Sequence, residues 1–130
     1  MTAGLLRDAL ARRAGPIKTV LLNQRVVAGL GNIYVAEALW RARIHPAHGA
    51  RTLNERQLQA LVRGIKAAIA DGFARQGRYR AGRRDRPFKV YDREGLACSR
   101  CRTKVERMTQ AGRSTYWCPG CQTGVGGKRW

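Results

Sequence analysis

The chain has 130 residues and a formal net charge of +18, and Arg supplies 21 of its 26 basic residues. Hydrophobic residues make up 44%, which is typical of a folded protein and too high for a disordered basic tail. No run of about 18 apolar residues exists, so a membrane span is excluded and no membrane partner is expected. Charges interrupt the only early apolar stretch that could act as a secretory signal. A folded chain of this charge is expected to bind a polyanion, with nucleic acid as the leading candidate. A ribosome-like or merely basic protein is the alternative.

Charge and apolar residues are distributed unevenly along the chain. Residues 1–72 carry a net charge of +7 and the helical apolar patterns, whereas residues 73–130 carry +11 and all four cysteines. This shift predicts two modules with a basic connection and a short tail. The predicted boundaries are a helical domain at 1–74, a basic linker at 75–92, a cysteine-containing module at 93–124 and a tail at 125–130.

Apolar residues at helical spacing predict three short helices before residue 46. Pro16 fits the first position of the second helix. The third follows a turn whose two glycines permit positive φ, and Asn32 at the end of that turn is positioned to cap it. The apolar faces of these helices are Leu5, Leu6, Ala9 and Leu10; Ile17, Val20 and Leu21; and Ile33, Ala36, Leu39 and Trp40.

A longer helix is predicted at residues 53–74. Thr52 and Glu55 stand three residues apart, which is the capping-box pattern of a helix start. An apolar stripe at helical spacing follows and predicts a side that faces the core. The stripe consists of Leu58, Leu61, Val62, Ile65, Ile69 and Phe73.

The segment at residues 75–89 is rich in positive charge. Seven of its fifteen residues are Arg or Lys, and only Asp85 opposes them. Its glycines and Pro87 argue against regular structure. Two interpretations stay open: a solvated linker, or a flexible arm that lies along phosphates and becomes ordered on binding.

The four cysteines have the spacing of a metal site. They form two C-x2-C pairs separated by sixteen residues, namely Cys98 with Cys101 and Cys118 with Cys121. Each pair places two thiolates on one side of a tight turn, and together they complete a tetrahedral site for one structural Zn²⁺ with no open position. Iron or an iron–sulfur cluster is a less favoured occupant. Two disulfides are disfavoured because nothing marks the chain as secreted.

The insert between the cysteine pairs is predicted to be a β-hairpin, with strands at 105–109 and 114–117. Arg113 lies at the exit of the turn. So small a module has little core, so the metal must supply most of its folding free energy. The basic residues around the site, which suggest that it faces the polyanion, are Arg100, Arg102, Lys104, Arg107 and Arg113. The predicted fold is therefore mainly α, with a helical domain followed by a small four-cysteine zinc-finger hairpin.

Two parts of the sequence resemble one known family. Residues 17–46, "IKTVLLNQRVVAGLGNIYVAEALWRARIHP", resemble the helix-two-turns-helix segment of the formamidopyrimidine-DNA glycosylase and endonuclease VIII family. Residues 88–101, "FKVYDREGLACSRC", and 112–122, "GRSTYWCPGCQ", resemble the C-terminal zinc finger of that family. The resemblance covers residues 15–123. It implies base-excision repair, in which a damaged base is flipped out of the duplex and excised and the strand is nicked at the abasic site.

The resemblance also implies three contacts to DNA phosphates around the flipped nucleotide. The matching residues are the Lys before the LL-x-Q segment, the Asn of the G-x-G-N turn and the Arg at the hairpin tip, which are Lys18, Asn32 and Arg113. A lysine is a point charge, an amide at a helix N-terminus is a donor to anions, and a guanidinium is a planar fork. A solvated charge, a helix cap and a turn residue are the respective alternatives.

Two features depart from the family pattern. Family members begin with Pro and Glu after the initiator Met, and that Pro amine is their Schiff-base nucleophile, whereas this chain begins Met1-Thr2-Ala3. The N-terminal catalytic domain is therefore expected to be a missing partner, no catalytic residue is assigned, and the enzymatic activity stays open. The short stretch before Phe88 favours the endonuclease VIII side and thus oxidised pyrimidines.

The sequence thus predicts the DNA-binding part of a bifunctional DNA glycosylase and abasic-site lyase. Its partner is double-stranded DNA with a damaged base or an abasic site, and its expected location is cytoplasmic and nucleoid-associated in a bacterial-type cell. The alternative is a stand-alone, non-enzymatic zinc-finger module that binds kinked or abasic DNA. Four other residues are expected to be structural rather than functional: Trp40 in the core, Glu37 packing or capping, and His45 and His48 in turns or on the surface.

Overall fold

The computed structural model of the chain describes residues 2–23, 31–74 and 88–123. Its elements are, in chain order, helices α1 (Ala3–Leu10), α2 (Ile17–Asn23), α3 (Asn32–Ala42) and α4 (Glu55–Ala74), then strands β1 (Glu106–Gln110) and β2 (Arg113–Trp117). A short 3-10 turn at Ala50–Thr52 precedes α4. The fold is mainly α with a terminal hairpin, as predicted. The basic stretch at 75–87, the tail at 125–130 and most of the glycine turn before α3 lie outside the described residues, and no described helix could cross a membrane.

Helices α3 and α4 form the central pair of the helical part. A Cβ atom at Gly64 of α4 would lie 2.6 Å from the Ala38 carbonyl oxygen of α3, so a glycine is needed where the helices cross. The apolar sides of all four helices meet in one core. Its fully buried members include Leu6, Leu10, Ile17, Leu21, Val35, Leu39, Leu58, Leu61 and Ile65.

Helix α4 begins two residues later than predicted. Asn54 accepts a hydrogen bond from the Gln57 amide at 2.8 Å, and the Gln57 side chain accepts one from the Asn54 amide at 2.8 Å. The capping box is therefore Asn54 with Gln57, and the prediction of Thr52 with Glu55 is wrong. The Thr52 hydroxyl instead donates to a backbone carbonyl of the preceding turn, and Glu55 forms an exposed ion pair with Arg7.

Two smaller predictions at the helix starts are also wrong. Leu5 does not line the core side of α1, because it is 64% exposed while Leu6 and Leu10 are buried. Asn32 is not the cap of α3, since Gly31 occupies that position and no side chain caps the helix. Helix α1 does have a side-chain cap, the Thr2 hydroxyl, which accepts from the Leu5 amide at 3.2 Å.

The hairpin has the tight turn that its sequence allows. Strands β1 and β2 are antiparallel, in a register from Glu106 opposite Trp117 to Gln110 opposite Arg113. The two turn residues, Ala111 and Gly112, have φ values of 48° and 77°, as a two-residue type I′ turn requires. Arg113 therefore belongs to the ladder pair that lies next to the turn.

The hairpin module packs directly against the helical part. A second apolar cluster combines Ala36 and Trp40 of α3 with Val90, Val105 and Tyr116 of the module, together with three of the cysteines. Helix α3 therefore contributes to two cores, one on each side. This arrangement fixes the position of the hairpin relative to the start of α3.

Candidate metal centre and nucleic-acid interface

The four cysteines meet at one point. Their Sγ atoms all lie within 4.8 Å of one another, and none is in a disulfide. The Sγ atoms of Cys98 and Cys121 are 3.8 Å apart, and those of Cys101 and Cys118 are 3.3 Å apart. Thiolates bound tetrahedrally to one Zn²⁺ at about 2.3 Å lie roughly 3.8 Å from each other, so the cluster fits that ion.

The surroundings of the cysteines also suit a metal. A Cβ atom at Gly120 would lie 2.8 Å from the Cys101 Sγ, so the second C-x2-C turn closes on the first only with glycine there. Hydrogen bonds from Thr103 lower the pKa of the Cys101 thiol to about 6. Burial raises the pKa of Cys118 to about 12. The Cys118 thiolate therefore depends on the charge of a bound cation.

Arg100 and Trp40 connect the metal centre to the end of α3. The Arg100 Nε donates to the Cys121 Sγ at 3.1 Å, and its Nη2 donates to the Trp40 carbonyl at 2.7 Å. Its guanidinium lies 3.9 Å from the centre of the Trp40 ring, and the Trp40 Nε1 donates to the Cys98 Sγ at 3.4 Å. Arg100 thus faces the thiolates and α3 rather than a polyanion, which corrects the prediction for this residue. Trp40 is a core residue, as expected.

Glu37 fixes residues 89–91, the end of the predicted linker, to the middle of α3. Its buried carboxylate accepts backbone hydrogen bonds from Lys89, Val90 and Tyr91 at 2.8, 2.9 and 3.1 Å. Burial raises the pKa of Glu37, and the three amides oppose that shift. Glu37 therefore packs and caps, as expected, although its partners lie about fifty residues away and could not be read from the sequence.

The structure brings Lys18 and Arg113 together from two separate elements. Lys18 lies in the first turn of α2 and is 1% exposed, and its Nζ has no hydrogen-bond partner among the described residues. Burial and the nearby charge of Arg113 lower the pKa of Lys18 to about 8. Arg113 is exposed at the start of β2. Lys18 is therefore not the solvated charge that was the alternative.

Asn32 joins this pair from the start of α3. Its Nδ2 donates to the Ser114 carbonyl at 3.1 Å, next to Arg113, while its Oδ1 is buried without a partner in the described part of the chain. The N-terminus of α3, whose first amides have no partner within the helix, lies beside it and favours anions. The three residues singled out from the sequence therefore converge. We call Lys18, Asn32 and Arg113 the cationic cluster, after its two charged members.

The charges of the cationic cluster favour the binding of an anion. Two like charges stand close together, and no carboxylate of the described residues perturbs the pKa of Lys18. A buried ammonium without a partner is costly unless an anion binds it. The chemistry that this arrangement favours is the binding of a phosphate or a similar oxyanion.

Other candidates lie elsewhere. Arg102 and Lys104 are exposed, and Arg107 pairs with Glu94 at 3.3 Å on the surface. His48 is buried, which corrects the expectation of a surface residue, and the His45 ring packs on Trp117 with centroids 4.4 Å apart. Neither histidine belongs to the cysteine cluster.

Known families match both modules of the chain. Residues 1–81 match the "Formamidopyrimidine-DNA glycosylase H2TH domain", and residues 95–124 match the "Zinc finger found in FPG and IleRS". The chain belongs to the formamidopyrimidine-DNA glycosylase family. Its zinc finger and the four converging thiolates define a site for one structural Zn²⁺.

Curated relatives match nearly the whole of this chain. A formamidopyrimidine-DNA glycosylase of Chloroflexus aggregans is 45% identical over 130 positions, covering 93% of this chain and 47% of that protein. One from Sinorhizobium medicae is 45% identical, covering 94% and 45%. The chain thus spans about half the length of the curated relatives it matches. Both relatives are named formamidopyrimidine-DNA glycosylase, so they do not support the prediction that the chain is more similar to endonuclease VIII.

Solved structures of the family superpose well on the chain. The MutM (Fpg) protein of Thermus thermophilus has a TM-score of 0.81 at 36% identity, covering 93% of this chain and 50% of that one. Lactococcus lactis Fpg in complex with DNA containing an abasic site has a TM-score of 0.82 at 34% identity, covering 94% and 48%. A MutM complex with DNA containing carbocyclic 8-oxo-G has a TM-score of 0.83 at 38% identity, covering 94% and 46%.

Proposed function

We propose that this chain is the damaged-DNA-binding part of a base-excision-repair DNA glycosylase and abasic-site lyase. Its partner is double-stranded DNA with a damaged base or an abasic site, and it works in the bacterial cytoplasm at the nucleoid. The convergence of Lys18, Asn32 and Arg113 from three elements supports this function most directly. The relatives solved with abasic and 8-oxo-G-containing DNA support the same partner.

In this proposal each member of the cationic cluster contacts the phosphates beside the flipped nucleotide. Lys18 supplies a charge from inside the protein, and Arg113 supplies two parallel donors from the hairpin tip. Asn32 and the N-terminus of α3 supply amide donors between them. The Zn²⁺ held by the four cysteines stabilises the fold of the finger that carries Arg113 and takes no part in the chemistry.

The rest of the basic surface adds affinity without selecting the lesion. With a net charge of +18, the chain should displace several counterions from a duplex, so its affinity should fall steeply with salt. Selectivity for a damaged site must instead come from the cluster, since an intact duplex does not present the phosphates of an extruded nucleotide.

Fluorescence anisotropy with a duplex that carries an abasic-site analogue tests the proposal. Lys18→Ala, Asn32→Ala and Arg113→Ala should each weaken binding by about 1–3 kcal/mol, as expected for a charge-assisted phosphate contact. Arg56→Ala is the matched control. It also removes one positive charge, but from an exposed side chain in the first turn of α4. Equal losses for Arg56→Ala and the cluster variants would mean that binding is only general attraction between charges, and the proposal would fail.

A further inference from the structure

A turn at residues 44–49, which we name the connecting turn, holds the beginning of α2. The Ile17 amide donates to the His48 carbonyl at 2.6 Å, and the Lys18 amide donates to the Pro46 carbonyl at 3.2 Å. The backbone that carries Lys18 is therefore fixed to this turn.

The same turn holds the tip of the hairpin. The Gln110 Nε2 donates to the Pro46 carbonyl at 3.3 Å. Gln110 is the last residue of β1 and stands directly opposite Arg113 in the ladder. One carbonyl oxygen thus accepts from the helix start that carries Lys18 and from the strand end that faces Arg113.

The base of the hairpin is bound to the connecting turn as well. The Gln122 Nε2 donates to the Ile44 carbonyl at 3.0 Å, while its Oε1 accepts from the Cys118 amide at 2.8 Å. Gln122 is fully buried, and Cys118, whose amide it binds, is a metal ligand. These contacts therefore hold the end of the finger that carries the metal. Of the contacts with the connecting turn, that of Gln110 therefore lies at the hairpin tip, farthest from the metal, where Asn32 of α3 also holds the Ser114 carbonyl.

A tether at the tip is needed because the two cations repel each other. Lys18 and Arg113 stand close together, and none of the carboxylates that the structure describes neutralises Lys18. The exposed Arg113 can reduce the repulsion by moving toward solvent. We propose that Gln110 is a positioning residue, which holds the hairpin tip on the Pro46 carbonyl so that Arg113 stays beside Lys18. The positioning itself is independent of DNA, whereas its consequence for DNA affinity rests on the proposed function.

The first experiment measures the titration of the Lys18 amine by NMR in the zinc-loaded full chain without DNA. Arg113→Ala should raise the pKa of Lys18 toward its ordinary value, because it removes a neighbouring positive charge. Gln110→Ala should raise it in the same direction, and the double variant should raise it no further than Arg113→Ala. Thr109→Ala, a neighbouring exposed position of β1, is the control and should leave the titration unchanged.

Two results of the titration would overturn the positioning role. One is a Lys18 pKa in Gln110→Ala equal to that of the parent. The other is a fully additive double variant, because additivity would mean that Gln110→Ala only admits water around Lys18. Circular dichroism and zinc content should match the parent in every variant, which excludes misfolding as the cause.

The second experiment measures binding to the abasic-analogue duplex. Gln110→Ala should weaken binding about three- to tenfold, less than complete loss of Arg113, and should have no further effect in the Arg113→Ala background. If the parent binds abasic and intact duplexes equally, the proposed function fails, and the titration alone then decides the positioning role. If the parent prefers the abasic duplex and Gln110→Ala binds it as the parent does, the inference fails and the proposed function stands.

Discussion

Lys18 is an unfavourable residue for stability and a favourable one for binding. A fully buried ammonium beside a guanidinium costs free energy in the free protein, because burial removes its solvation and no described carboxylate compensates its charge. An oxyanion that enters the cationic cluster removes that cost. Its burial without a partner among the described residues favours a role in binding an anion, and its protonation state should control affinity.

Binding to the abasic duplex should weaken as the pH rises through about 8. The pKa of Lys18 is lowered to about 8, so above that value the free protein has lost the charge that a phosphate needs. Bound phosphate favours the protonated form, which displaces the loss to somewhat higher pH. Lys18→Arg keeps the charge throughout and should remove the dependence.

Anisotropy titrations between about pH 7 and about pH 10 check this prediction. Because pH can affect DNA binding in other ways, the comparison between parent and Lys18→Arg carries the result rather than the parent alone. The same pH profile in both proteins would show that another group is responsible.

At the scale of elements, α3 is the link between the two modules. Asn32 at its start contacts the hairpin, Glu37 in its middle holds residues 89–91, and Trp40 near its end contacts the metal centre. Its other side packs closely on α4. The placement of Asn32 relative to Arg113 therefore depends on the packing of α3 between α4 and the finger.

Gly64→Ala should destabilise the helical part by about 1–3 kcal/mol, as overpacking does in a tight core. The added Cβ would lie 2.6 Å from the Ala38 carbonyl oxygen, and two backbones must separate to admit it. The better helix propensity of alanine, up to about 1 kcal/mol, offsets only part of that cost. Urea unfolding followed by circular dichroism measures the effect.

Gly4→Ala is the matched control, because Gly4 lies in helix α1 and an added Cβ would meet nothing closer than 3.7 Å. It should be neutral or stabilising by about 0.5–1 kcal/mol, the usual gain for such a change in a helix. If Gly64→Ala unfolds at the urea concentration of the parent, α3 and α4 do not require the close approach.

Sequence patterns predicted what depends on local periodicity and spacing. The apolar stripe of α4, the hairpin and the four thiolates followed from such patterns, because helical period, turn residues and C-x2-C spacing are short-range features. The start of α4 was misplaced because Thr52 to Glu55 and Asn54 to Gln57 both fit a capping box, and only the preceding turn decides between them.

Long-range contacts were beyond the sequence. From the sequence, Arg100 is one more basic surface residue. The structure places its guanidinium over the ring of Trp40, which lies sixty positions earlier in the chain. The burial of Lys18 likewise depends on packing around α2 that no local pattern encodes. Residues 18, 32 and 113 were found because the resemblance to a family singled them out.

At the scale of the whole molecule, the two modules differ in what stabilises them. The helical part has a core of apolar residues from four helices. The finger has a two-stranded hairpin and a cluster in which three of the buried members are metal ligands. Since a hairpin of this size is marginal by itself, the finger depends on zinc far more than the helices do.

A high-affinity chelator should remove one Zn²⁺ per chain and unfold the finger selectively. Hydrogen exchange should then show loss of protection in β1, β2 and the amides held by Glu37, while α1, α2 and α4 stay protected. Trp40 fluorescence should change as well, because its ring lies between α3 and the thiolates. Simultaneous loss of protection in α4 would mean that the helical core is not self-sufficient.

The 130-residue polypeptide by itself should bind abasic DNA without cleaving it at an enzymatic rate. A Schiff-base lyase needs an uncharged amine and a carboxylate that moves protons nearby. Among the described lysines, Lys18 comes closest to such an amine, since its pKa is lowered to about 8. No described carboxylate is among the groups that shift the pKa of Lys18. Three of them are used elsewhere: Glu37 accepts from three backbone amides, and Glu55 and Glu94 pair with arginines on the surface.

Borohydride trapping on a duplex with a true abasic site measures this directly. A slow, substoichiometric adduct is expected from any amine held close to the exposed aldehyde, so turnover and stoichiometry are the deciding quantities. If a stoichiometric adduct forms together with strand cleavage and disappears in Lys18→Arg, Lys18 acts as a nucleophile and the carboxylate requirement is met by a group outside the described residues. If the adduct survives in Lys18→Arg, peptide mapping identifies the amine, and the assignment of the cationic cluster to phosphate binding is unaffected.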